Sequence, residues 1–207
     1  MWQPHALPGK RATRYDLAAD AGRAVVRARA EASASMLRYP IHLEPAALGT
    51  LRFSWRVASL IAKADVRQRD TEDSPVRVVL AFDGDHELLP AKDQALFELA
   101  QAVMGERPPY ATLMYVWDNQ APLESVVINP RSERIRKIVV ESGPGHLQQW
   151  REHERDIAAD YRRAFGEAPG TLIGVGLMTD ADNTGTSALA WYGAVCLSGA
   201  QLGAAPN

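Results

Sequence analysis

Cysteine is almost absent from this 207-residue chain: Cys196 is the single one. That excludes any intrachain disulfide and any thiolate metal cluster, so the core alone must hold the fold. Cys196 stands in the apolar run Ala194-Val195-Cys196-Leu197, where a free thiol serves as a small buried hydrophobe rather than a nucleophile. Long apolar runs are missing as well, for no window approaches the roughly 20 apolar residues that a membrane helix needs. The opening Met1-Trp2-Gln3-Pro4-His5 lacks the basic and then apolar pattern of a secretory signal. Charge of one sign is not in excess: 23 Lys and Arg stand against 25 Asp and Glu, a net charge of -2, which gives no electrostatic reason to expect nucleic acid or an anionic membrane as partner.

Catalytic templates are missing too. The histidines His5, His42, His86, His146 and His153 form no i, i+4 pair and have no cysteine beside them, so zinc has no template. Ser54, Ser74 and Ser142 lack a Gly-x-Ser-x-Gly setting, and Gly143-Pro144-Gly145 lacks the Lys-Ser/Thr sequel of a phosphate loop. Nucleophilic and nucleotide-dependent chemistry both fall away.

What is present is a globular composition, 46% hydrophobic and 23% charged, in a length suited to one domain. We expect a single domain over residues 1–198 and a flexible tail of small residues over 199–207. Short segments alternate apolar and polar residues between Pro, Gly, Asn and Asp punctuation, which predicts an all-β fold, an antiparallel β-sandwich of jelly-roll type. Strands are expected at 25–30, 36–43, 51–57, 76–82, 113–117, 136–141, 172–178 and 188–197. In the third, Leu51, Phe53, Trp55 and Val57 share one face, and Arg52, Ser54 and Arg56 the other. Two inserted α-helices are expected, over 92–104 with a stripe of Leu96, Leu99 and Val103, and over 147–165 with Trp150, Ile157, Tyr161 and Phe165. Gly105 and Gly166 sit where C-terminal glycine caps belong.

Two constellations carry chemistry. The bend Asp180-Ala181-Asp182-Asn183-Thr184-Gly185 offers oxygens from Asp180, Asp182 and Asn183 of the kind calcium prefers. An EF-hand would require a bidentate Glu at the twelfth position, which is Trp191, and the flanks read as strands. Turn chemistry accounts for the same residue types. Glu72 and Asp73, adjacent in the charged loop 65–74, point apart on an extended chain, unlike the paired carboxylates of a glycosidase. The second constellation is aromatic. Tyr115 and Trp117 share a strand face, Trp191 and Tyr192 follow the bend, and Arg56, Arg77 and Glu141 are expected on neighbouring strands. Together they suit a groove in which sugar rings dock on aromatic faces; the same Trp and Tyr equally suit core positions.

Phe53-Ser54-Trp55-Arg56-Val57, Glu72 through Val78, Tyr115-Val116-Trp117, Val140-Glu141-Ser142-Gly143, Asp160 through Gly166, Met178 through Gly185 and Ala190-Trp191-Tyr192-Gly193 form an ordered set spanning nearly the whole chain. In these motifs the chain resembles the bacterial domain-of-unknown-function family numbered 3047. The resemblance names no activity. It implies an exported protein, periplasmic or secreted, whose leader has been trimmed; without export the protein is cytoplasmic. Ala194 departs from the pattern, which has an acidic residue there. The closing segment is also similar in style to carbohydrate-binding jelly rolls, and fold does not fix function. The expected function is a non-catalytic module of the bacterial envelope that binds a saccharide or similar small polar ligand, with no cofactor unless calcium occupies the bend. One alternative is a polysaccharide lyase or hydrolase with Glu141 or Tyr115 as base and Arg56 or Arg77 opposite a substrate carboxylate. Another is a structural or assembly domain, which would show a wide apolar surface patch.

Overall fold

The computed structural model, which describes residues 1–20, 22–198 and 200–202, stacks two β-sheets. The strands in chain order are β1 (Gln3–Ala6), β2 (Arg14–Asp20), β3 (Arg23–Glu31), β4 (Ala34–Leu43), β5 (Thr50–Val57), β6 (Ser74–Phe82), β7 (Ala111–Asp118), β8 (Val126–Asn129), β9 (Ser132–Ser142), β10 (Arg151–Asp156), β11 (Leu172–Asp180), β12 (Ser187–Leu197) and β13 (Ala200–Gln201). The helices are α1 (Ala91–Met104) and α2 (Ile157–Phe165). The larger sheet runs β1-β4-β11-β6-β7-β9-β8; the smaller runs β10-β5-β12-β3-β2, with β13 on β12. Because β3 to β4, β4 to β5, β5 to β6 and β11 to β12 each cross between the sheets, the chain winds in jelly-roll fashion. This is the expected all-β sandwich with two helices. One pair departs from antiparallel order: β8 folds back on the far side of β9, which leaves β9 parallel to β7.

Period-two alternation builds the core. Leu51, Phe53, Trp55 and Val57 of β5 meet Val76, Val78, Leu80 and Phe82 of β6 and Leu113, Tyr115 and Trp117 of β7 between the sheets. The larger sheet is apolar on its outer face as well, where Val79, Met114, Val116, Val139 and Met178 are covered by Val66. That is why β6 and β7 read as apolar on both faces.

Five strands escape the sequence patterns, namely β1, β2, β8, β10 and the two-residue β13. The helix expected over 147–165 starts only at Ile157, where the Asp156 carboxylate caps the Ala159 N–H at 2.9 Å. Upstream, Arg151–Asp156 pairs with β5 as an edge strand. Its residues Arg-Glu-His-Glu-Arg-Asp alternate in facing but not in polarity, so nothing apolar marks a strand.

The stripe expected on α1 is corrected too. Leu99 and Val103 are 63% and 65% exposed and Leu96 40%, while Phe97 is buried. The helix is attached through Phe97, whose ring meets His86 edge-on at 5.1 Å, rather than through the stripe. Within the expected tail, Leu202 is buried, its N–H donating to the Val195 carbonyl at 2.7 Å. Its own carbonyl accepts the Trp2 indole N–H at 3.1 Å. Residues 199 and 203–207 of that tail lie outside the described residues.

Candidate functional site

Alternation along β7 sends Tyr115 and Trp117 between the sheets, where both are fully buried, so they line no solvent groove. The Tyr115 hydroxyl donates to Asp160 at 3.0 Å and the Trp117 indole N–H to the Gly143 carbonyl at 3.1 Å. Tyr192 is likewise core, its hydroxyl accepting the Arg77 backbone N–H at 3.2 Å. These are apolar rings whose polar tips are satisfied inside.

Arg77 lies on the opposite face of the same sheet, buried under the loop that carries Glu72. Its guanidinium forks onto Asp180 through Nε at 2.8 Å and a terminal nitrogen at 2.7 Å, and reaches Glu72 at 2.9 Å. Lys137, also fully buried, meets Glu72 at 2.7 Å. Burial raises the Glu72 carboxyl, but Arg77 and Lys137 outweigh it and hold it down at about 2. The bend after β11 is stitched to this cluster. Asp73 accepts the N–H groups of Asn183 at 3.2 Å and Thr184 at 2.7 Å, and the Asn183 amide donates to the Glu72 carbonyl at 3.0 Å. Asp182 pairs with Lys10. Carboxylate oxygens of Asp73, Asp180 and Asp182 lie within 4.8 Å of one another, yet each carboxylate already has a cation or N–H partner.

Glu141 closes the open edge of the sandwich. As β10 runs along the edge of the smaller sheet, its inward side chains are Arg151, His153 and Arg155, and the two arginines reach across to acids. Arg151 Nε donates to Glu141 at 2.7 Å and His146 Nδ1 meets it at 2.8 Å. Arg155 forks onto Asp160 at 2.8 and 2.9 Å. His153 packs its ring 5.0 Å from both Phe53 and Trp55, and burial pushes its imidazole down to about 4.

The outer face of the smaller sheet is different. Register places Arg56 of β5 beside Trp191 of β12, Trp191 beside Arg27 of β3, and Arg27 beside Asp16 of β2. The result is a half-exposed row of arginine, tryptophan, arginine and aspartate across four strands. The Arg56 guanidinium lies 4.1 Å over the Trp191 ring and bonds Asp20 at 3.0 Å. Asp20 also accepts the Trp150 indole N–H at 2.7 Å. One carboxylate therefore fixes a second half-exposed tryptophan next to the first. Trp150 sits against Gly193, where an added Cβ would meet its ring at 3.4 Å and the Ser54 hydroxyl at 2.2 Å, so glycine is what lets the indole lie close to the sheet.

The family model described as "Protein of unknown function (DUF3047)" matches residues 1–196. The chain belongs to this family. Among curated proteins none matches. One solved structure similar to this DUF3047 chain is the xyloglucanase domain of NopAA, a type three effector from Sinorhizobium fredii, in complex with cellobiose. The TM-score is 0.48 at 9% identity, over 95% of this chain and 93% of that one.

In this DUF3047 protein a shallow depression of about 400 Å³ adjoins the aromatic row, lined by Arg52, Ser54, Glu152, Glu154 and Ala194 among others. Ala194, where the resemblance implies an acid, thus opens onto the same face as Trp191. Of the ligand-binding residues expected from sequence, Arg56 and Trp191 come together here, whereas Arg77, Tyr115, Trp117, Glu141 and Tyr192 are buried elsewhere. Asp20, Arg27 and Trp150 were not anticipated. For Arg27 a signal existed in the alternation Val25-Val26-Arg27-Ala28-Arg29-Ala30, which puts arginines on one face; for Trp150 there was none once it was assigned to a helix. Among the described residues no helix is long and apolar enough to cross a membrane.

Proposed function

We propose that the outer face of the smaller sheet is a binding platform for a saccharide or similar polar ligand, and that the protein is a non-catalytic module of the bacterial envelope, periplasmic or secreted. The observation that carries this reading is the single carboxylate of Asp20, which holds both Trp150 and Arg56, with Arg56 in turn stacked on Trp191. Sugar rings dock their C–H faces on indoles while neighbouring polar groups bond the hydroxyls, and side chains already fixed lose little entropy on binding. The bend at Asp180, Asp182 and Asn183 is read as turn chemistry rather than a calcium site, because its side chains are engaged with Arg77, Lys10 and Glu72.

A glycan array followed by calorimetry tests the platform. Trp150→Ala and Trp191→Ala are each expected to weaken binding by about two- to tenfold, the ~0.5–1.5 kcal/mol that one aromatic stacking surface contributes. Trp117→Ala serves as the contrast, losing stability while the folded fraction binds normally. Absence of binding to every glycan, or unchanged binding in both surface variants, overturns the reading.

A polysaccharide-cleaving enzyme is the second reading, favoured by His146, 45% exposed and bonded to the buried Glu141, an arrangement that orients an imidazole for proton transfer. Release of reducing ends or unsaturated products from a polysaccharide panel supports it; their absence across the panel leaves the binding module.

A further inference from the structure

We propose that Lys137 and Asn129 join in an intramolecular isopeptide bond, formed without a co-reactant and with release of ammonia, Glu72 acting as the proton carrier. All three side chains are buried. Lys137 alternates along β9 with the core residues Ile138 and Val140, so it shares the outer face of the larger sheet with Val139. β8 runs antiparallel to β9 with Val127 opposite Lys137, and two residues beyond Val127, Asn129 returns to the same buried face. One carboxylate spans the pair: Glu72 Oε1 meets Lys137 Nζ at 2.7 Å, and Glu72 Oε2 accepts from Asn129 Nδ2 at 3.0 Å. As a counter-ion Lys137 would be redundant, since Arg77 and Arg131 already reach Glu72 at 2.9 and 3.2 Å, and burying one more charge is costly.

Each group is set for transfer of the Asn129 acyl carbon to the amine. Burial and the Arg77 charge bring Lys137 down to about 8, which leaves about a tenth of it as the free nucleophile at pH 7. The Asn129 Oδ1 accepts the Arg131 backbone N–H at 2.8 Å, a donor placed where negative charge develops as Nζ adds to Cγ. Addition makes Nζ cationic and strongly acidic, so it gives a proton to Glu72 Oε1 even though that carboxyl is a weak base, and Glu72 returns a proton through Oε2 to Nδ2. The Cγ–Nδ2 bond breaks, the Nζ–Cγ amide remains, and one ammonia leaves with no change of oxidation state. Pro130 follows Asn129 and has no backbone N–H, so the asparagine cannot lose ammonia by cyclising onto the next backbone nitrogen. The product pins β8, the short strand at one edge of the larger sheet, where a β-fold is most open to fraying and mispairing.

Intact mass spectrometry of the whole chain, held folded at pH 8 and then denatured, tests the bond. The wild type is expected to fall short of its sequence mass by one ammonia, and tryptic digestion should yield a branched peptide joining Asn129 to Lys137. Lys137→Arg, which keeps the charge beside Glu72, should retain its full sequence mass, and so should a Glu72→Gln chain that shows the native circular-dichroism spectrum. Full sequence mass in the wild type after prolonged incubation overturns the proposal, as does an ammonia loss that persists in Lys137→Arg. A folded Glu72→Gln chain that crosslinks as completely as the wild type overturns the role given to Glu72.

Discussion

The Arg77 guanidinium meets the Asp180 carboxylate edge to edge, two parallel hydrogen bonds of 2.8 and 2.7 Å with both residues buried on the outer face of the larger sheet. This contact joins β6 to β11 and draws in Glu72 from the covering loop. It turns two residues that look like site residues in the sequence, one basic and one at a calcium-like bend, into a single structural clamp.

Removing one partner of such a clamp leaves the other charge buried and uncompensated. Arg77→Ala is expected to cost about 3–5 kcal/mol of stability, because Asp180 and Glu72 both lose a cation. Chemical denaturation at neutral pH measures it, and a loss under about 1 kcal/mol would show that the cluster relaxes or takes in water. Ligand binding by the folded fraction should not change, since the clamp and the aromatic row lie on different sheets.

The layers of this fold were legible because alternation is local: each of the eight strands expected from sequence occurs, and Leu51, Phe53, Trp55 and Val57 share the core face that their spacing requires. The site was only half legible. Arg77 and Tyr115 are both on strands of one sheet, and residue spacing along separate strands does not reveal that they emerge on opposite faces. That depends on pairing register, which Val78 and Tyr115 share as partners while Arg77 faces Val116. Trp150 and Asp20 were hidden for another reason. They are 130 residues apart, and β10, the strand that follows Trp150, is polar on both faces because inward Arg151 and Arg155 pair with acids and the one inward ring that packs in the core is a histidine, His153.

The helix α1 gives the clearest case in which pattern and packing disagree. Leu99 belongs to a regular apolar stripe but is 63% exposed, while Phe97, off that stripe, is buried at 8%. Leu99→Ser should therefore change stability by no more than about 0.5 kcal/mol, and Phe97→Ala should cost about 2–4 kcal/mol. Thermal melts of the two variants decide it. A large loss from Leu99→Ser would mean that another surface covers the stripe, in line with an assembly role.

His153 makes stability depend on pH. Its imidazole is wedged between Phe53 and Trp55, and burial holds it down at about 4 in the folded protein, against about 6.5 in an unfolded chain. Between those values the unfolded chain takes up a proton that the folded one refuses, so stability is full above the upper value and falls as pH drops through the window. Below both values the deficit from this one group is about 3 kcal/mol. His153→Phe keeps a ring in the slot and has no proton to take up. Denaturant unfolding of both proteins from pH 8 to pH 4 should show curves that run parallel above about pH 7 and separate below it, the wild type falling more steeply. Parallel curves throughout would mean that Glu141, 3.8 Å from His153 Nε2, offsets the effect of burial, so that the imidazole takes up its proton equally in the folded and unfolded chains.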